Sequence, residues 1–286
     1  MIANMGVEHN EQIGASAGNP GQESTAGTAR PSGAFRREVF FVIGGASGLG
    51  AATVEALHDR GTVVVAFDRV APKVALPGVE FRLVDVRDAA GVEREMQDAL
   101  ERVGAIDGFV YAAGVLDGHA YLGETNEELL DLVLDVNVKG AIRVARALAP
   151  SMCETGYGRM VFIGSIAGTV AGAGGLPYTV SKHALTGVVK SLALEFADRG
   201  ITVNAIAPGA VSGTNIATGV LDQMVGSLPG ERSSESIFGQ PAHKLHPVGR
   251  LGTVDAIVPS ILHLLSPQSW FITGTSLAVD GGYTAR

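Results

Sequence analysis

Val39-Phe40-Phe41-Val42-Ile43 runs without a break into Gly44-Gly45-Ala46-Ser47-Gly48-Leu49-Gly50. The first five residues are continuously apolar and rich in β-branched and aromatic side chains, the pattern of a strand buried on both faces of a parallel sheet. From Ala51 to Arg60, Val54 and Leu57 recur at helical spacing. Strand, glycine-rich turn and helix in that order form a cradle for a pyrophosphate. Glycines let the backbone approach the ligand, and the helix N-terminus presents free N–H groups and a positive dipole end. The spacing is Gly-x-x-x-Gly-x-Gly at Gly44, Gly48 and Gly50. In a chain with 39 glycines a loop of no special role is the bland alternative, and the flanking strand and helix weigh against it.

Outward from this stretch, Thr62-Val63-Val64-Val65-Ala66-Phe67 reads as a second strand ending in Asp68. An acidic side chain there accepts hydrogen bonds from both hydroxyls of an adenosine ribose and repels a 2′-phosphate, favouring NAD over NADP. Arg69 follows, and a guanidinium can bind phosphate in a fork, though a solvated surface arginine is the plainer reading. Further strands are expected over 80–84, 108–112, 159–164, 201–206 and 275–279. Helices are expected near 48–60, 88–103, 126–153, 177–198 and 254–265. Such alternation predicts an α/β fold, a doubly wound Rossmann-type parallel sheet with helices on both faces. Residues 212–246 break the rhythm with Gly, Ser, Pro and mixed charge, as expected of a substrate-capturing loop.

The 286 residues, 46% of them hydrophobic, suit one large domain over 37–286. Met1 to Arg36 is rich in small and polar residues without hydrophobic periodicity, so burial cannot offset its ordering entropy, and a disordered tail is expected. It lacks the apolar core of a secretory signal, and Glu8 and Glu11 argue against a transit peptide. The net charge of −8 speaks against nucleic acid or an anionic membrane as partner. No apolar run reaches the ~18 residues of a membrane span. The lone Cys153 excludes an intrachain disulfide framework and fits a reducing, cytoplasmic setting, its expected role that of a small buried filler. His243 and His246 lie close together without Cys or carboxylate partners at zinc spacing, so no metal is expected.

The chemistry is carried by Tyr178-Thr179-Val180-Ser181-Lys182, with Ser165 upstream. On a helix, residues four apart share a face, which brings the Tyr178 hydroxyl and the Lys182 ammonium into one space. A phenol with an ordinary pKa of about 10 is a poor base near neutrality. A nearby cation favours the phenolate and is expected to make it a usable proton donor and acceptor. By itself such a pair is common on exposed helix faces. Ser165 ends the strand Met160-Val161-Phe162-Ile163-Gly164, at the carboxyl edge where ligands of parallel sheets bind.

Together these features resemble the short-chain dehydrogenase/reductase family in its compact single-domain form, over Arg37 to Arg286. Asp85-Val86 matches the pair that contacts adenine in that family. Tyr111-Ala112-Ala113-Gly114 matches its Asn-Asn-Ala-Gly motif, keeping only Ala113 and Gly114. Ile43 stands where a threonine is usual. Asn204-Ala205-Ile206-Ala207-Pro208-Gly209 matches the Pro-Gly segment beside the nicotinamide. The usual threonine is displaced within Val211-Ser212-Gly213-Thr214, leaving Ser212 or Thr214 to serve, with Thr214 preferred. The resemblance implies cofactor contacts from Gly44, Ser47, Gly48, Leu49, Gly50, Asp68, Asp85, Val86, Ala113, Gly114, Tyr178, Lys182, Pro208, Gly209, Val211 and Thr214. It implies a catalytic set of Asn137, Ser165, Tyr178 and Lys182, with Asn137 interrupting its helix and holding a water on the proton path. It also implies a homo-oligomer, dimer or tetramer.

The implied activity is hydride transfer between NAD and a secondary alcohol or ketone, with Tyr178 as general acid/base. The small residues between Ile166 and Leu176 leave room beside the catalytic groups, and Val115, Leu116 and His119 are candidate cleft walls. Small apolar walls suggest a neutral substrate, and no arginine pair marks a carboxylate or phosphate. Rivals are an NADPH-dependent carbonyl reductase reading the 2′-phosphate through Arg69, and a catalytically silent dinucleotide sensor. A sugar-nucleotide epimerase would need a further C-terminal domain.

Overall fold

The computed structural model describes residues 37–214 and 241–285. The expected tail over 1–36 and most of the expected substrate loop therefore lie outside the described residues. Seven strands form one sheet: β1 (Val39–Ile43), β2 (Val63–Asp68), β3 (Glu80–Leu83), β4 (Gly108–Tyr111), β5 (Gly158–Ile163), β6 (Ile201–Pro208) and β7 (Ser276–Val279). Their order is β3-β2-β1-β4-β5-β6-β7, and every pairing is parallel. The helices are α1 (Gly48–Asp59), α2 (Ala89–Val103), α3 (Glu127–Leu134), α4 (Ala141–Thr155), α5 (Leu176–Phe196), α6 (Ala242–Leu245) and α7 (Val254–Leu265).

The unbroken apolar character of β1 has a direct cause. Val39, Phe41 and Ile43 pack into a core shared with Val92 and Met96 of α2, Val144 and Leu148 of α4, and Leu185 and Val189 of α5. The alternate residues Phe40 and Val42 pack on the other face with Val54 and Leu57 of α1 and Ile257 and Ile261 of α7. Period-two alternation thus serves two cores at once, so no position of the strand can be polar.

The strand order reverses between β1 and β4. Ile43 pairs with Phe67 on one side and with Tyr111 on the other. The chain leaves β1 and β4 for opposite faces, which opens a crevice at the carboxyl edge of the sheet.

The run expected as one helix over 126–153 is broken. α3 passes into a wider π-helical turn, Asp135–Gly140, before α4 resumes. The close packing there requires Gly140, since a Cβ would run into the Tyr111 hydroxyl and Val86. The Tyr111 hydroxyl donates to the Val136 carbonyl at 2.6 Å, tying the turn to β4. Tyrosine thus supplies a brace at the first position of the altered Asn-Asn-Ala-Gly motif. Among the described residues no helix is long and apolar enough to cross a membrane.

Candidate active site

The crevice is a cavity of about 580 Å³ running from the β1–α1 turn to the start of α5. At its first end the glycines act by what they lack. A Cβ on Gly50 would collide with the Gly44 carbonyl, and one on Gly44, whose φ is +86°, would lie 2.5 Å from the Ala113 nitrogen. The turn is therefore folded tightly against the segment after β4, with Ser47, Gly48, Leu49 and Gly50 lining the cavity. Ser47 precedes α1 and its hydroxyl makes no capping bond to the helix. Thr214 sits across from Gly48, 3.5 Å from where a Cβ would stand. Ser212 instead donates its hydroxyl to the Gly252 carbonyl at 3.1 Å, and only Thr214 of the two lines the cavity.

Asp68 reaches back over the turn, where its Oδ2 accepts from the Ala46 N–H at 3.0 Å. Asp85 is held by the Arg87 guanidinium, with Nη2 at 2.6 Å. That bond holds its carboxyl below the usual carboxylate range. Val86, Ala113, Gly114, Pro208, Gly209 and Val211 complete this end, as expected from sequence. Arg69 and Lys73 also line it. A cradle whose glycines cannot carry a Cβ, at the positive end of a helix, fits a dinucleotide.

At the other end, Ser165 follows β5 and Tyr178 stands in the first turn of α5. Both side chains line the cavity, and the Ser165 hydroxyl favours ionisation of the Tyr178 phenol. Lys182, one helical turn after Tyr178, places its Nζ 5.4 Å from the centre of the tyrosine ring. The expected shared face is therefore present. Asn137 and Lys182 are buried beside the cavity-lining Gly114, where an added Cβ would stand 3.4 Å from Asn137 Oδ1 and 3.7 Å from Lys182 Nζ. Asn137 is buried and its amide is occupied: Oδ1 accepts from the Val115 N–H at 2.8 Å. Its Nδ2 donates to the Val115 carbonyl and to Ser181 Oγ, each at 3.0 Å. In this geometry the side chain braces α5 and the segment after β4.

The expected electrostatics need correction. In the protein alone, burial pushes the Tyr178 phenol up to about 12, opposed by the Ser165 hydroxyl and reinforced by the charge of Asp117. Burial also lowers the Lys182 ammonium to about 8. The lysine donates to the Ile163 carbonyl at 2.9 Å. Removing both groups from water disfavours both charged forms.

A family model described as enoyl-(acyl carrier protein) reductase matches residues 44–284. The short-chain reductase protein NovJ of Streptomyces niveus is 34% identical over 256 residues, covering 86% of this chain and 94% of the relative. The chain belongs to the short-chain dehydrogenase/reductase family. A 2-(S)-hydroxypropyl-CoM dehydrogenase of Xanthobacter autotrophicus is 31% identical over 264 residues, covering 88% of this chain and 98% of the relative. The solved structure of ElxO with NADP bound superposes with a TM-score of 0.76 at 26% identity, over 88% of this chain and all of that one. Membership makes the protein an oxidoreductase of hydroxyl and keto groups that uses a nicotinamide cofactor.

Within this short-chain dehydrogenase fold, two site residues escaped the reading of the sequence. His246 is buried beside Gly209, where an added Cβ would strike its ring. Its Nε2 accepts from the Ala210 N–H at 3.3 Å. Its Nδ1 donates to the Asp280 carbonyl at 2.6 Å, the tautomer following from the first bond. A histidine without metal partners thus ties the Pro-Gly segment to the end of β7. Asp117 is fully buried and accepts from the Gly175 and Tyr178 N–H groups at 3.0 and 2.9 Å. The Asp117-Gly118 pair is a turn signal in sequence, but nothing local tells that its carboxylate serves a helix some sixty residues on. Val115, Leu116 and His119 all line the cavity, so the expected walls are in place.

Proposed function

We propose that this protein is an NAD-dependent dehydrogenase of small neutral secondary alcohols, or equally a reductase of the matching ketones, with Tyr178 as general acid/base. The observation that carries the reading is Ser165 and Tyr178 lining one cleft, with Lys182 on the tyrosine's helix face and Asp68 at the far end. When bound, the nicotinamide supplies the two-electron hydride acceptor or donor. Tyr178 takes the hydroxyl proton in oxidation and returns it in reduction. Ser165 holds the substrate oxygen and stabilises it as its charge changes. Lys182 would hold the nicotinamide ribose hydroxyls. Asn137, with its amide engaged by Val115 and Ser181, keeps α5 in register. A water on the proton path beside it belongs to this proposal.

NAD is favoured because the Asp68 carboxylate, oriented by the Ala46 N–H, opposes a 2′-phosphate. The cofactor contacts are those expected above, with Thr214 preferred to Ser212. Val115, Leu116, Ile166 and Ala173 support a neutral, partly apolar substrate. The second reading, NADPH use, is favoured by Arg69 and Lys73 at the same end of the cleft. ElxO was solved with NADP bound. The lone cysteine supports a cytoplasmic setting. Exposed Ile142, Val180, Leu194 and Phe271 support a homo-oligomer, dimer or tetramer, testable by solution mass.

The deciding experiment offers a panel of secondary alcohols with NAD and with NADP, followed by the absorbance of the reduced cofactor. Turnover with NAD at higher kcat/KM supports the first reading, and the reverse preference the second. Tight NADH binding without turnover of any alcohol or ketone would instead make the protein a dinucleotide sensor.

A further inference from the structure

We propose that Asp117 is a positioning residue for Tyr178, capping α5 from a separate loop through the Tyr178 N–H. The inference rests on the assignment of Tyr178 as acid/base. α5 begins after Gly175, which has no side chain with which to cap it. The four leading N–H groups of a helix need partners, and a side-chain oxygen bonded to the third residue is the usual device. Here the third residue is Tyr178, and the oxygen comes from Asp117 Oδ2 at 2.9 Å. Pro177 has no N–H, and the Leu176 N–H donates to the Ala120 carbonyl at 3.0 Å. The first turn of α5 is therefore held almost entirely by residues 117–120.

The same carboxylate also sets the substrate side of the cleft. Asp117 Oδ1 accepts from the Gly175 and His119 N–H groups, each at 3.0 Å. His119 lines the cavity with φ +60°, alone in positive φ among the described residues other than glycine. Gly175 is required by this packing, because a Cβ there would lie 2.5 Å from Asp117 Oδ2. One buried carboxylate thus joins the acid/base residue, the small-residue segment before α5 and a cleft wall. The other titratable groups lining the same cavity include His119 from the β4–α3 loop and His246 and Tyr283 from the C-terminal side, and Lys182 follows one turn along α5. The Ser165 hydroxyl faces the phenol from the end of β5. The Asp117 carboxylate pushes the Tyr178 phenol up, alongside the larger effect of burial. A negative charge there favours the protonated, proton-donating phenol.

The test compares pH profiles of alcohol oxidation in the full chain for Asp117→Asn, Asp117→Ser and Tyr178→Phe. Without the negative charge the phenolate forms more easily, so the rising limb of kcat should move to lower pH by about one unit in both Asp117 variants. The KM for cofactor should stay within about twofold. Serine cannot span three donors, so kcat should fall further in that variant, roughly tenfold, or about 1.4 kcal/mol. An inactive Tyr178→Phe with an unmoved limb in both Asp117 variants would overturn the inference while leaving the acid/base assignment intact. An active Tyr178→Phe would overturn that assignment itself. Failure of both Asp117 variants to fold, while Tyr178→Phe folds, would also overturn it, since Asp117 would then serve the whole fold.

Discussion

The two ends of the cleft are built by opposite means. The dinucleotide end is made of backbone: Gly44, Gly48 and Gly50 contribute close approach and positive φ, and the side chains that matter there, Asp68 and Thr214, stand at its rim. The end proposed for catalysis is made of buried side chains drawn from four separated segments: Asp117, Asn137, Ser165 and the Tyr178–Lys182 pair. Backbone cradles depend on space, so they fail when an atom is added. Side-chain clusters depend on hydrogen bonds and desolvation, so they fail when a polar atom is removed.

That contrast can be broken most sharply at Tyr178. Loss of the hydroxyl in Tyr178→Phe should lower kcat by about 10²–10⁴-fold. Cofactor binding, followed by fluorescence titration, should persist, because the glycine turn is untouched. Gly50→Ala is the mirror experiment. Its Cβ must displace the Gly44 carbonyl, so cofactor affinity should fall at least about tenfold, or about 1.4 kcal/mol. Stability should fall by about 1–3 kcal/mol as the tight turn is overpacked. Equal effects of both changes on binding and on chemistry would dissolve the distinction between the two ends.

A subtler measure uses pH. Buried Lys182 sheds its proton near 8 in the folded chain, against an ordinary value of 10.5. Between those values the unfolded chain binds more protons, so this residue adds stability as pH rises through that window and removes it as pH falls through about 8. Tyr178 acts oppositely, removing stability as pH rises from its ordinary 10 to about 12. Denaturant melts of the wild type should therefore gain stability from about pH 8 to 10, and Lys182→Met should flatten that gain. The smallest expected effect separates the two candidate hydroxyls at the rim. Thr214→Ala should weaken cofactor binding a few-fold, whereas Ser212→Ala, already bonded to Gly252, should change it by less than about 0.5 kcal/mol.

Local pattern carried much of this molecule. β1 is found at the bounds expected for it, and α7 likewise at 254–265, because apolar periodicity and glycine punctuation are written in neighbouring residues. The shared face of Tyr178 and Lys182 follows from helical geometry alone. The break at Asp135–Gly140 was not written in local spacing but came with the family resemblance, and the Tyr111 bond to Val136 ties it to another strand. In the protein without cofactor the phenol moves the other way for a related reason. Charge attraction is legible from spacing, but the desolvation that opposes it depends on every segment packed around the pair.

By itself, then, the chain of amino acids determined the alternation of strand and helix, the glycine turn, and which side chains could do proton chemistry, because each depends on residues a few positions apart. Tertiary structure alone decided that Asp117 caps α5 through Tyr178, 61 residues away, that His246 holds the Pro-Gly segment, and that Tyr178 is harder to ionise than a free phenol. Those outcomes rest on burial and on bonds between distant segments, quantities that do not exist until the sheet brings them together.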